Sequence, residues 1–190
     1  MTLLSGLSLT FPSLAKEKLP SLVVLSGHNL TLKERQRDEY FMKKAIKQAI
    51  KNPMHPFGCV IVDLDAKTVL SEGVNTASMN PILHAEIVAI NNYICKHGNQ
   101  GWEKLTIYTT GEPCPMCMSA IVWAGIPRVV WASSIQTIRA SGIGQIDIAA
   151  SEVAASAREL HHPQSLIQGI LSDKTDLMFL KRRNSKLSDK

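Results

Sequence analysis

Two short motifs constrain the fold of this 190-residue chain more than any other feature. The first is His84-Ala85-Glu86, and the second is Pro113-Cys114-Pro115-Met116-Cys117. One imidazole and two thiolates are a set of three protein ligands that zinc takes when its fourth position is left to water. The fold must therefore bring the histidine next to two cysteines that lie about 30 residues further along the chain.

The second motif has the spacing of a helix start. Cys114 and Cys117 are three positions apart, so both sulfurs lie on one side of the first turn if a helix begins there. Pro115 suits the first helical position, and Gly125 suits the position just past the end. Free backbone N–H groups and the positive helix end then favour thiolate forms of the two cysteines.

Hydrophobic periodicity and turn residues predict the other elements. Thr31 and Glu34 have capping-box spacing and predict the start of the first helix, and a second helix is predicted to start near His84. The predicted strands are 57–62, 68–72, 105–109, 128–132 and 166–170. Residues 134–144 are predicted as a loop, and the last two helices as 151–160 and 173–180.

This order of elements predicts the fold class. A hairpin opens the sheet, and alternating strands and helices then favour parallel pairing with right-handed crossovers. We expect an α/β fold with three layers, α-β-α, and a mixed sheet of about five strands. Helix N-termini meet at one sheet edge in such a fold, which brings His84 to the cysteines. The predicted organisation is an N-terminal extension (1–30), one domain (31–183) and a basic tail (184–190).

Composition favours a globular domain, because 45% of the residues are hydrophobic and 19% are charged. No apolar stretch approaches the ~20 residues of a membrane span, so we expect no membrane partner. The first 15 residues lack the charged start of a signal peptide and are interrupted by Pro12. Cys59 and Cys95 sit in apolar runs, which favours a reducing compartment. We therefore expect a cytoplasmic protein.

Glu86 follows the predicted metal ligand His84 by two positions. A bound zinc ion acidifies its water, and a carboxylate beside it can take the proton and pass it on, so we predict Glu86 as the catalytic acid/base. Three simpler interpretations remain open. Cys114 and Cys117 could be a redox pair, Glu86 could be a surface carboxylate, and the zinc could be structural with a fourth ligand from His97, His161 or His162, although their spacing is unusual.

The combination H-x-E and P-C-x-x-C is the signature of zinc-dependent nucleobase deaminases. With Pro56-Phe57-Gly58-Cys59 and Glu72-Gly73-Val74-Asn75, it makes the chain resemble the cytidine deaminase-like superfamily from about Tyr40 to Trp131. The branch with bacterial guanine deaminases and tRNA adenosine deaminases is the most similar. The resemblance implies one Zn²⁺ per chain, a homodimer, and substrate contacts from Asn75, Phe57 and Ala85. Asn75 could instead be a turn residue, and Phe57 a core aromatic.

The resemblance predicts hydrolytic deamination of a purine base or nucleoside, guanine favoured, which gives xanthine and ammonia. Guanine deaminases carry an acidic residue soon after a glycine that follows the fourth strand, whereas here the first acid after Gly142 is Asp147. The alternatives are a tRNA-specific adenosine deaminase acting at the wobble position, a cytosine or cytidine deaminase, and a non-catalytic zinc-stabilised interaction domain. A tRNA substrate could use the net charge of +5 through four basic residues near the C-terminus, Lys181, Arg182, Arg183 and Lys186.

Overall fold

The computed structural model describes residues 24–160 and 165–188, and these residues form a six-stranded sheet in the order β1-β6-β5-β4-β2-β3. The strands are β1 (Val24–Ser26), β2 (Gly58–Asp63), β3 (Thr68–Val74), β4 (Leu105–Gly111), β5 (Arg128–Ser133) and β6 (Ser165–Gln168). The predicted strands are confirmed, with ends shifted by one or two residues. The sixth strand is β1, which lies in the segment predicted as an extension and pairs with β6.

Six α-helices connect and cover the strands in the described part of the chain. They are α1 (Leu32–Ala49), α2 (Ala85–His97), α3 (Pro115–Ala124), α4 (Ile135–Ala140), α5 (Ala150–Ser156) and α6 (Ser172–Ser188). The capping box of α1 is present: Glu34 N–H donates to Thr31 Oγ1 at 3.3 Å, and Thr31 N–H donates to Glu34 Oε2 at 2.9 Å. None of the helices in the described ranges is long and apolar enough to cross a bilayer.

Strand directions make the sheet mixed, as predicted. β4, β5, β6 and β1 run parallel, whereas β2 lies antiparallel to both β4 and β3. The carboxyl ends of β3 and β4 therefore meet at the same edge as the start of β2. The loops that lead into α2 and α3 leave from this edge, which we call the catalytic edge.

The core lies on both faces of the sheet, which confirms the three-layer arrangement. On one face, α1 buries Phe41, Met42 and Ala45 against β2, β4 and β5. On the other face, α2, α3 and α5 cover a second cluster that includes Ile107 and Trp131. The two central strands, β4 and β5, are therefore covered on both faces, as expected of a largely parallel sheet.

A buried ionic network holds α1 on the sheet. The carboxylate of Asp38 accepts a hydrogen bond from Tyr108 Oη at 2.8 Å and one from Arg128 Nη2 at 2.6 Å. Arg37 Nε also donates to this carboxylate at 3.2 Å. Because each buried charge has a partner, the network fixes the position of α1 without leaving a bare ion in the interior.

The structure corrects the sequence-based assignment in three places. Residues 135–140, predicted as loop, form α4, because Ser134 Oγ caps the helix by accepting from Thr137 N–H at 3.1 Å. Helix α5 ends at Ser156 instead of 160. Helix α6 continues to Ser188, so the segment predicted as a basic tail begins within a helix. Residues 1–23 of the predicted extension lie outside the described residues.

Candidate metal centre and active site

The three predicted metal ligands come together at the catalytic edge. The ligand atoms of His84, Cys114 and Cys117 all lie within 4.8 Å of one another, and His84 Nδ1 is 3.6 Å from Cys114 Sγ. A tetrahedral zinc ion with a Zn–N distance of about 2.0 Å and a Zn–S distance of about 2.3 Å would hold nitrogen and sulfur about 3.5 Å apart. The donor set and its spacing therefore fit zinc with one position left open.

Each metal motif begins a helix, as predicted. His84 is the N-cap residue of α2, and Cys114 is the N-cap residue of α3 with Pro115 next to it. Cys117 lies in the first turn of α3, whose end is marked by Gly125 in a left-handed conformation with φ 77°. Two helix N-termini thus point their free N–H groups toward the same place, which favours negative charge on the thiolates.

The electrostatics of the three ligands follow from their contacts. The hydrogen bond from Cys117, followed in size by that from His84, lowers the pKa of the Cys114 thiol to about 4. The same bond to Cys114, together with burial, raises the pKa of Cys117. Contact with Cys114 also raises the pKa of His84. These contacts favour the thiolate form of Cys114, and a divalent cation would take the place of the proton shared with Cys117.

Glu86 lies inside the site and not on the surface. Its residue is only 4% exposed, and its Oε1 accepts a hydrogen bond from Thr109 Oγ1 at 3.1 Å. Burial raises the pKa of this carboxyl group, and the neighbouring Cys114 raises it further. A buried carboxyl group with a raised pKa beside a metal-binding triad is suited to exchange protons with a reactant.

Asn75 and Phe57 lie next to each other at the open end of the β2–β3 hairpin, opposite its turn. The backbone N–H of Asn75 donates to Phe57 O at 3.1 Å, and Asn75 is 6% exposed. Asn75 Oδ1 accepts from Ala77 N–H at 3.1 Å, so it shapes the following turn. Its backbone is not left-handed, which removes one explanation for an asparagine here. Phe57 is half-buried, with its ring centroid 4.9 Å from that of Phe179.

Ala85 lies between the metal ligand His84 and the buried Glu86, and it is itself fully buried. The first turn of α2 lies directly on β3 at this point, because a Cβ atom on Gly73 would collide with Ala85 O and Ala89 N. Glycine at position 73 therefore permits the close approach that places His84 and Glu86.

The family model for the cytidine and deoxycytidylate deaminase zinc-binding region matches residues 35–133, which is more than half of the chain. The chain belongs to this family. The match includes every predicted ligand and Glu86. Within the described residues, the triad is the one group of histidine, cysteine and acidic side chains whose arrangement could hold a metal ion. His161 and His162 lie outside the described residues.

Relatives of the family differ in substrate. The chain is 35% identical over 106 residues to a probable cytosine deaminase of Schizosaccharomyces pombe, covering 54% of this chain and 64% of that protein. It is 32% identical over 162 residues to a tRNA-specific adenosine deaminase of Haemophilus influenzae, covering 80% of this chain and 89% of that protein. The X-ray structure of guanine deaminase from Bacillus subtilis is similar, with a TM-score of 0.52 and 34% identity, covering 56% of this chain and 71% of that chain.

Two residues at the site of this chain, Thr109 and Glu112, were not identified from the sequence. Thr109 holds the Glu86 carboxylate, but every residue of β4 is buried, so the strand pattern gave no sign that one position faces the site. Glu112 immediately precedes the second motif, and the sequence assigned it no role. Its carboxylate in fact accepts backbone hydrogen bonds from two helices. Because those partners are 23 and 38 positions away in sequence, local spacing could not reveal them.

One predicted role of a charged residue needs correction. Arg182 was expected to hold phosphates, but it is 6% exposed and donates through Nε to Met54 O, so its guanidinium is part of the interior. Asp147, the first acid after Gly142, is exposed and forms an ion pair with Arg139. The first acid after Gly142 is therefore held in a surface ion pair.

Proposed function

We propose that this chain catalyses the hydrolytic deamination of a purine base or nucleoside, with guanine as the favoured substrate. The observation that carries the proposal is the buried Glu86 carboxyl group, which lies two residues from His84 and interacts with both cysteines. A non-catalytic, zinc-stabilised interaction domain would need the three ligands but has no use for a buried carboxyl group. Burying an ionisable group without a structural partner ion is costly, which favours a functional reason for it.

His84, Cys114 and Cys117 would hold one zinc ion per chain, which when bound lowers the pKa of a water molecule to about 7. The Glu86 carboxylate accepts a proton from water and gives it to the ring nitrogen next to the amino-bearing carbon. A carbon–oxygen bond forms at that carbon. Glu86 then takes the remaining proton from the new hydroxyl group and gives it to the amino group, so that a carbonyl group forms as the carbon–nitrogen bond breaks and ammonia leaves.

The base would lie at the end of the β2–β3 hairpin. Asn75 offers an amide at the buried end of this hairpin, and Phe57 offers an aromatic face against which a flat ring can stack. The backbone N–H of Ala85, in the first turn of α2, can donate to a ring carbonyl. These three contacts would orient a purine without specifying its exocyclic groups.

Guanine is favoured by the likeness to the Bacillus subtilis guanine deaminase structure, at 34% identity. The second candidate, wobble adenosine of tRNA, is favoured by the Haemophilus influenzae relative, which aligns with 80% of this chain. For the tRNA candidate, Arg182 is buried and not available to bind phosphate, whereas Lys181 is exposed. The Schizosaccharomyces pombe relative keeps cytosine as a third candidate.

The test is a panel of guanine, guanosine, adenine, adenosine, cytosine, cytidine and tRNA, with ammonia release as the readout. The proposal expects the highest kcat/KM on a free purine or its nucleoside. Turnover confined to tRNA would select the second candidate, and turnover confined to cytosine or cytidine the third. No ammonia from any of them, with one zinc ion per chain bound, would support the non-catalytic alternative.

A homodimer is also part of the proposal, and an exposed apolar face supports it. Trp123 on α3 is 75% exposed, so its indole ring is not part of the core and is available for contact with a second copy of the chain. It borders a groove of about 510 Å³ between α3 and α5 that is also lined by Val122, Val153 and Leu160. Helix α3 also carries Cys117, so a second copy of the chain bound in this groove would stabilise the helix that holds a candidate metal ligand.

The oligomer is tested by sedimentation of Trp123→Glu. We expect the wild type to sediment as a dimer and the variant as a monomer. The matched control is Tyr40→Glu, which places the same charge on an exposed aromatic position of α1 in the opposite layer. A monomeric wild type would refute the dimer.

Two further assignments remain proposals. Residues 31–183 are proposed as the catalytic domain, with β1 adding an edge strand from the preceding segment. A reducing, cytoplasmic location is supported by all four cysteines being free thiols, since oxidation of Cys114 and Cys117 would remove two metal ligands.

A further inference from the structure

Glu112 joins three parts of the structure at the catalytic edge. It is 8% exposed, and its backbone N–H donates to Ser133 O at the end of β5 at 2.7 Å. Its Oε2 accepts from Ile135 N–H in the first turn of α4 at 3.0 Å, and its Oε1 accepts from Ala150 N–H in the first turn of α5 at 2.9 Å. One carboxylate therefore satisfies free donors of two helices, while Cys114 follows two residues later.

Helix α4 carries this connection to the expected base-stacking residue. Ile138 is fully buried and packs with Phe57, Ile143 and Phe179 in a small separate cluster. A Cβ atom on Gly111 would lie 2.8 Å from Ile138 Cδ1 and 3.1 Å from Phe57 Cε1, so these two side chains close over the end of β4. The position of α4 therefore sets the position of Phe57.

We propose that Glu112 is a positioning residue for substrate specificity, which fixes α4 and the 141–149 segment relative to the metal-binding cysteines. This inference rests on the proposed function. Ile135 and Ala150 bracket α4 together with that segment, so the carboxylate ties the two ends of this longer stretch. A negative charge is also favourable at two helix N-termini. The distance between the metal ligands and the wall formed by Ile138 and Phe57 is thereby held constant.

The sharpest variant is Glu112→Gln, because its size is unchanged but only one oxygen remains to accept. Its amide NH₂ would face one of the two backbone donors, which breaks one connection and leaves the other. We expect KM for the preferred base to rise by at least about tenfold, since a lost bond to a charged group is of that order. We expect kcat to change by less than about threefold, because no reacting atom is touched.

Two readouts separate positioning from general damage. Zinc content is expected to remain one ion per chain, and amide hydrogen exchange is expected to accelerate in the first turns of α4 and α5. The control is Glu34→Gln, which makes the same change at a carboxylate that caps α1 far from the catalytic edge. It is expected to leave KM and the exchange at α4 unaltered.

The conservative variant Ile138→Val tests the same connection without touching Glu112. It is also expected to raise KM while kcat and the zinc content stay unchanged. This variant keeps the proposal testable if Glu112→Gln does not fold. Unchanged KM in the folded variants, or a fall in kcat with KM constant, would overturn the inference. If the wild type has no activity on any base, the proposed function fails separately, and hydrogen exchange still decides whether Glu112 fixes α4 and α5.

Discussion

At the scale of single residues, the site combines three side chains that can bind a metal ion with a carboxyl group that metal binding does not require. Glu86 is buried, and the contact that steadies it comes from Thr109 on the neighbouring strand. Proton transfer needs a group held within hydrogen-bond reach of the reacting atoms and a pKa near the working pH. Burial raises the pKa of Glu86 in that direction.

Glu86→Gln removes the proposed proton carrier and retains the shape of the side chain. We expect kcat to fall by about 10²–10⁴-fold, which is the usual contribution of general acid–base catalysis, with zinc still bound. Steady-state kinetics and metal analysis of the purified protein measure this. Glu103→Gln, on an exposed residue before β4, is the control. Wild-type turnover in Glu86→Gln would remove Glu86 from the mechanism.

Thr109→Val removes the hydroxyl group that donates to Glu86 but keeps the branched shape on a buried strand. We expect kcat to fall by about tenfold, since one hydrogen bond to a charged group is lost, with little change in KM. Thr109→Ser keeps the hydroxyl and is expected to recover most of the loss. The prediction is wrong if serine and valine behave alike in steady-state kinetics.

The sequence predicted the metal ligands and Glu86 because each lies in a motif with a chemical reason for its spacing. It did not predict Thr109 or the role of Glu112. Their partners are distant in sequence, and the fully buried β4 has no alternation that would single out a position. The error at Arg182 was of the opposite kind. Its charge suggested a solvent-exposed side chain, but the residue is buried.

At the scale of elements, two glycines bring helices onto the sheet. Gly58 lies under the end of α1 and Gly73 under the start of α2, and a Cβ atom at either would collide with helix backbone. The start of α2 carries His84 and Glu86. The geometry of the metal site therefore depends on how closely this helix approaches β3.

Gly73→Ala is expected to push α2 away from β3 and to lower the free energy of unfolding by about 1–3 kcal/mol, as overpacking does in a closed core. Zinc affinity is expected to fall as well, because His84 moves with the helix. Urea denaturation and chelator competition measure the two effects. Gly144→Ala, where an added Cβ meets nothing, is the control. Equal stability of both variants would contradict the close contact.

Helices of ten residues or more with clear boundary signals were predicted well, such as α1 with its capping box and α3 between Pro115 and Gly125. The short α4 was not, because much of its stability is tertiary. Ile135 and Ile138 are buried, and Glu112 supplies an acceptor from another loop. A six-residue helix is too short to be stable from its own sequence.

At the scale of the whole molecule, one ion would connect loops that follow different strands. His84 follows the β2–β3 hairpin, and the two cysteines follow β4. The sequence predicted the three layers, but β1 and the order of strands in the sheet depend on pairings between distant segments. No local pattern in a three-residue strand can reveal such a partner.

Removal of zinc by a chelator is expected to lower the melting temperature by on the order of 5 °C or more. Binding at 100 times Kd stabilises the native state by about 2.7 kcal/mol, and each kcal/mol shifts a chain of this size by about 2–4 °C. Circular dichroism melts with and without chelator measure the shift, and added zinc should restore the original value. An unchanged melting temperature, with zinc shown to be removed, would contradict a metal link between α2 and α3.

The antiparallel course of β2 has a practical consequence. Its end, Asp63, pairs with Leu105 at the start of β4, so the tight turn to β3 lies at the opposite end of the sheet from His84. None of the proposed site residues lies at that turn. A fluorophore or affinity tag inserted between Asp65 and Ala66 would thus report on the enzyme while its pocket stays free for substrates.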